Sequence, residues 1–233
     1  ISVMGGEQAA TVLATVRRDQ AEARGTAWPA EEEEAFRAGI AAYLRRHAYG
    51  TTETTDLWDA LEEVTGEPVR RIMDSWIFRG GHPVVRVEHD GDTLRLDQGP
   101  ASYDGTDGDE QWPIPMVLSV GTDGASPTRQ RLLLDPATSV DAAGPPKFVQ
   151  ANVGGAGFYR VELDRDLRIA LLDHGDPDPL ERFVLLDDTW TGFIAGRVPL
   201  VDAADTLVRL AQGEADPSVW RRLSGAGREL ARL

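Results

Sequence analysis

Cysteine is absent from the 233 residues, which excludes disulfides and thiolate metal sites. Lysine occurs once, at Lys147, so nearly all positive charge is arginine. No apolar run approaches the ~18 residues that mark a membrane helix, and no secretory leader pattern opens the chain. Histidine is scarce: His47, His82, His89 and His174 include no pair at the i, i+4 spacing that puts two imidazoles on one helix face. There is no G-x-S-x-G elbow, so the common serine and cysteine nucleophile signatures are both missing. The glycine-rich run NVGGAGFYRV lacks the Lys-Ser/Thr of a phosphate loop and leads into a strand, so it reads as a hairpin turn needing positive φ. The net charge of −15 and pI of about 4.6 argue against nucleic acid and anionic membrane surfaces as partners. A cysteine-free chain suits the cytoplasm, which is the expected location. The first residue is Ile1 and the first methionine Met4, from which a fragment of a longer protein is expected.

What is present is an ordinary globular composition, 41% hydrophobic and 27% charged. Up to about residue 80 the pattern is helical. A weak first helix is expected over Gln8–Arg18, and Phe36, Ile40, Tyr43, Leu44 and His47 share one face of a second. Glu31 to Glu34 suit the positive end of a helix macrodipole. Thr54 or Thr55 is the expected cap of a helix carrying Leu57, Leu61 and Val64, and Gly66 its αL stop. Pro68 then opens a helix with Val69, Ile72, Met73 and Trp76 on its apolar face. At Pro83 the period changes from 3.6 to 2. About six short strands between 83 and 165, with a hairpin turn at Asp90-Gly91, predict a small antiparallel sandwich. Helical period returns after Asp176. Asp178, Pro179 and Glu181 form a capping box there, and Leu200–Leu210 and Val219–Leu223 carry two further apolar stripes.

Candidate chemistry is sparse. His82 and His89, with Asp90 and Asp92, could form a weak surface metal site, but polar ends of a hairpin explain them better. His47 reads as a hydrogen-bonded structural histidine. Carboxylates cluster at Glu31–Glu34, Asp104–Glu110 and Asp187–Asp188. These read as a solvated helix start, a polar loop and a partly exposed helix surface, none with a histidine or lysine partner in sequence. Trp58, Trp76 and Trp190 sit at core spacing, so packing is their expected role. No catalytic and no metal-ligating residue is therefore assigned.

In combination, these segments resemble the aminopeptidase N family of zinc metallopeptidases, in the part that follows the metal site. The resemblance rests on Phe36, Gly39, Tyr43, Tyr49, Gly50, Thr54, Asp56, Leu57, Trp58, Met73, Trp76, Pro83 and Val84, with His82 where that family usually has an aromatic. It continues through WPIPMVL at Trp112–Leu118, through NVGGAGFYRVEL, and through ERFVLLDDTWTGFIAGRV with its LLDD segment. The resemblance implies an α+β, multi-part architecture. Residues 1–82 would be the helical end of a thermolysin-like catalytic domain, 83–165 an antiparallel β-sandwich, and 166–233 the start of an α-helical C-terminal domain. It implies a parent that removes N-terminal residues from peptides with zinc-activated water. The zinc ligands H-E-x-x-H and a downstream Glu, and the G-x-M-E-N segment that grips the substrate amine, would lie upstream of Ile1. This segment would supply scaffold and domain packing, hold no cofactor, and be inactive in isolation. The family's intermediate-stabilising tyrosine falls at Val3 in the register of Ile1–Gly6, and its lysine at Gly5. Valine donates no hydrogen bond to an oxyanion. The alternative reading is a non-catalytic pseudo-peptidase acting as a protein-interaction module.

Overall fold

A computed structural model describes residues 30–103 and 108–232. The helix expected over Gln8–Arg18 and the Val3 and Gly5 positions lie outside the described residues. The chain divides into two compact units with the boundary between Gly80 and Gly81. Among the described residues there are seven α-helices and two β-sheets, an α+β chain.

The first unit contains α1 (Ala30–Arg46), α2 (Thr54–Thr65) and α3 (Val69–Ile77). α1 and α2 approach closely because Gly39 has no side chain: a Cβ there would lie 2.8 Å from Leu61 Cδ2 and 3.3 Å from its Cα. Trp58 and Ala60 are the buried centre of α2. Neither Thr54 nor Thr55 caps this helix. Glu53 is the cap, because the Asp56 carboxylate reaches back to accept its amide at 2.8 Å, and both threonines fall inside the first turn. Gly66 ends α2 in the αL conformation, as its position predicts. His47 lies just past α1, half-buried, with its ring 5.4 Å from that of Tyr43.

The second unit begins with β1 (Pro83–Asp90) and β2 (Thr93–Pro100), an antiparallel hairpin. Asp90 pairs with Thr93, so the two-residue loop is Gly91-Asp92, one residue later than the expected Asp90-Gly91, with Gly91 supplying the positive φ. β3 (Ile114–Thr122) pairs with β4 (Thr128–Leu134) and β6 (Pro146–Gln150), and the short β5 (Thr138–Asp141) pairs with β2. β7 (Arg160–Leu163) completes the first sheet beside β1. The sheet orders are β5-β2-β1-β7 and β4-β3-β6. Period-2 burial is clear in β3, where Ile114, Met116, Leu118 and Val120 are all buried. β3 is central, yet it tolerates Pro115 because β6 pairs only with Ser119–Thr122, leaving the proline's other side free of a ladder. The buried Gln98 side chain on β2 accepts from Trp112 N (2.8 Å) and donates to Trp112 O (2.7 Å), just ahead of β3.

Two expectations are corrected here. The strands are not all antiparallel: β7 runs parallel to β1, Val84 beside Arg160 through Val87 beside Leu163. The Gly154–Gly157 segment is likewise not a hairpin turn. β6 belongs to one sheet and β7 to the other, so this segment crosses between sheets through a short 3-10 turn at Val153–Gly155. The Asn152 side chain closes the crossover, accepting from Gly157 N at 2.9 Å and donating to Gly157 O at 3.2 Å.

Helices follow as α4 (Arg165–His174), α5 (Pro179–Ile194), α6 (Leu200–Ala211) and α7 (Pro217–Leu230). α4 starts before Asp176, earlier than periodicity alone predicts. The Asp164 carboxylate caps it by accepting from Leu167 N, and Leu167 and Leu171 bury one edge. The Asp178–Glu181 capping box forms with Pro179 at the first helical position, and Asp216 caps α7. Leu186, Leu210, Val219 and Leu223 from α5, α6 and α7 form a shared core.

Candidate functional site: a buried ionic seam on strand β7

The chemistry-bearing groups of the second unit gather along the outer side of β7. Arg160 leaves this strand and its Nη1 donates to Asp187 Oδ2 (2.8 Å) and to Asp188 Oδ1 (2.9 Å), both on α5. Arg222 of α7 holds the other Asp187 oxygen at 2.7 Å. Asp188 Oδ2 accepts from the Val161 backbone N–H at 2.8 Å. Asp188 is 4% exposed, which corrects the expectation of a partly exposed surface pair. The LLDD segment faces inward because its partners are arginines brought in from β7 and α7, which are distant in sequence.

Burial sets the electrostatics. It pushes the Asp188 carboxyl up, to about 7, against the pull of the Val161 N–H and the Arg160 charge. Burial also opposes the charge on Arg160, but its bonds to Asp187 and Asp188 outweigh this and raise its pKa above the usual guanidinium value. Asp187 feels burial too, yet the hydrogen bonds from Arg160 and Arg222 hold its carboxyl below the usual range. Tyr159 is buried within reach of the Asp188 charge. Burial, then the Asp188 charge, raises its phenol, and its hydroxyl donates to Ala151 O at 3.0 Å. His82 is lowered by burial and then by the Arg160 charge, and its ring lies 5.7 Å from that of the exposed Phe158.

The seam extends along the strand. Glu162 Oε1 accepts from Arg197 Nε at 2.6 Å, and Arg197 also donates to Ser102 O. Buried Arg168 of α4 donates to Leu163 O at 3.3 Å and pairs with Asp202 of α6 at 3.2 Å, which Arg165 reaches at 3.0 Å. A cleft of about 190 Å³ opens beside this stretch, lined by Arg86, Glu162, Arg165, Arg168, Arg197 and Asp202 among others. Of its acids, Glu162 is bonded to Arg197, and Asp202 to Arg165 and Arg168, so these groups act on each other. Glu181 completes the frame: one oxygen accepts from Asp178 N to close the α5 cap, the other from Gly154 N at 2.6 Å.

The other sequence candidates are not brought together. Glu33 and Glu34 pair with Arg37 on α1. Asp109 and Glu110 are exposed, and Asp104 and Asp107 lie outside the described residues. Asp90 pairs with Arg95, and His89 Nδ1 lies 3.1 Å from Asp164 Oδ2. Trp58 and Trp190 are buried, and Trp190 Nε1 donates to Glu229 at 2.7 Å. Among the described residues no group of three or more His, Asp or Glu could hold a metal ion. The described residues therefore do not fit a zinc ion, and among them no helix is long and apolar enough to cross a membrane. Sequence reasoning noticed Asp187 and Asp188 but missed Arg160, Arg222 and Arg168. For Arg160 the available signal was an arginine inside the strand pattern FYRVEL; Arg168 and Arg222 carry no local signal.

Comparison with known proteins bears on both ends of the chain. Residues 30–76 match the peptidase family M1 domain, and residues 148–233 match the ERAP1-like C-terminal domain. The chain is 34% identical over 182 residues to tricorn protease-interacting factor F2 of Thermoplasma volcanium, covering 78% of this chain and 22% of that protein. It is 35% identical over 170 residues to the protein of the same name from Thermoplasma acidophilum, covering 72% and 20%. Against aminopeptidase M1 of Arabidopsis thaliana it is 32% identical over 206 residues, covering 82% and 23%. The chain thus spans about a fifth of the length of these relatives. With the M1 peptidase match toward one end, the ERAP1-like match at the other, and aminopeptidases aligned across most of what lies between, the chain belongs to the aminopeptidase N (M1) family of zinc metallopeptidases, as a segment of it.

Proposed function

We propose that this segment is the scaffold part of a zinc-dependent aminopeptidase that removes N-terminal residues from peptides. Its parts would be residues 1–82 as the helical end of a thermolysin-like catalytic domain, 83–165 as a β-sandwich and 166–233 as the start of a helical C-terminal domain. The observation that carries the scaffold role is the seam: every carboxylate in it is bonded to an arginine or a backbone N–H, and none is left to act as a general base. The zinc would be held by residues of the parent outside the described part. When bound, it supplies an activated water for peptide hydrolysis. The residues of this chain pack the helices against the sheets. Peptides are the proposed substrates of the parent, and the cytoplasm its proposed location.

The test is direct. The purified 233-residue chain, assayed for metal by mass spectrometry and with an aminoacyl reporter, is expected to carry no stoichiometric zinc and to release no product. About one tightly bound zinc per chain with turnover of the reporter would overturn the scaffold reading.

A further inference from the structure

β7 is the edge strand of its sheet, four residues long, and it pairs with β1 in the parallel sense only. Parallel pairing is slightly weaker per residue than antiparallel. An exposed edge strand leaves backbone N–H and C=O groups without a neighbouring strand. Here helix side chains take that place. The Val161 N–H ends on Asp188 of α5, and the Leu163 C=O accepts from Arg168 of α4. Arg160 then ties Asp188 to Asp187, Arg222 ties Asp187 to α7, and Asp202 ties Arg168 to α6. Each of the four helices after β7 therefore reaches the strand directly or through one charged partner. Toward β1 the strand has its four-residue parallel ladder, extended by the Asp164 N–H to Val87 O bond at 3.1 Å, and an Arg86–Glu162 contact of 3.9 Å.

We propose that β7 belongs, as an opening unit, to the helices and not to the sheet it completes. The Arg160–Asp187–Asp188–Arg222 network is the latch that makes them open together. Buried, hydrogen-bonded charges suit this role because separating them strands a charge in a poorly solvated place. Cooperative local openings of this kind follow contiguous structural units. The boundary of this unit runs between β1 and β7 and separates the edge strand from the other three strands of a continuous sheet.

Amide-resolved native-state hydrogen exchange on the 233-residue chain tests the assignment. In the unaltered protein, amides of β7, α5 and α7 should exchange with one common protection, lower than that of the β1–β2 hairpin. Arg160→Met should raise exchange in β7, α5 and α7 by roughly a hundredfold or more, the factor a stranded buried charge implies, while the hairpin changes by less than about tenfold. Arg222→Met, which reaches only Asp187, should move the same segments by a smaller common factor. The proposal is overturned if β7 protection tracks the hairpin, or if Arg160→Met raises the hairpin as much as the helices. Should Arg160→Met not fold, Arg222→Met decides: a joint rise in β7, α5 and α7 supports the latch, and unchanged or independent exchange overturns it.

Discussion

The two units use the same pairs of residue types in opposite ways. In α1–α3, Arg46–Glu63 and Arg70–Asp59 close to 2.6 Å, but all four side chains are 44% exposed or more. Along β7 the distances are similar, yet the side chain of Arg160 is 19% and that of Asp188 5% exposed. Distance is therefore a poor guide to what an ion pair contributes, and desolvation decides. In water the pair competes with hydration and with side-chain entropy. Once buried, breaking it leaves a charge short of a partner in a place that water solvates poorly.

The largest effect expected from this contrast is at Asp188. Asp188→Ala leaves the Arg160 guanidinium with one partner fewer and the Val161 N–H with none, and should destabilise the second unit by about 3–5 kcal/mol in urea unfolding. Next comes the crossover that carries the chain into β7. Gly155 has φ +58 and a Cβ there would lie 3.0 Å from Leu180 Cγ, so Gly155→Ala should cost about 1–3 kcal/mol by the same measurement. A third, smaller effect is acid sensitivity. The fully buried Glu214 side chain accepts from Arg182 at 2.7 and 3.0 Å, and this hydrogen bonding holds its carboxyl at about 2. Its folded value lies below the ordinary 4.5, so its contribution is complete above 4.5 and is lost as pH falls toward 2. Urea midpoints followed across that window should drop, and Glu214→Gln should flatten the drop. At the small end, Arg70→Ala on the first unit should leave the urea midpoint unchanged within error, which would sharpen the contrast with Asp188.

Much of this arrangement was legible in residue order. Period-2 and period-3.6 patterns marked β1–β4 and α5–α7, and local chemistry marked the Gly66 stop and the Asp178–Glu181 cap. These signals work because they depend on neighbours within one turn or one strand. What escaped depends on distant partners. The parallel pairing of β7 and the split of β6 and β7 between two sheets are invisible to local periodicity. The burial of Asp188 could not be read either, because its partners lie 27 and 28 positions back, at Val161 and Arg160. The Thr54 and Thr55 caps were misplaced for the opposite reason, since Glu53 and Asp56 offered a competing local solution one residue earlier.

The proposed scaffold role requires a metal site elsewhere in the same polypeptide. The most direct measurement is the coding sequence preceding Ile1. The expected result is an open frame encoding H-E-x-x-H and a downstream glutamate, with a G-x-M-E-N-type segment before them. A frame that lacks those ligands would contradict it and make this chain a non-catalytic relative whose sheets and helices serve binding instead.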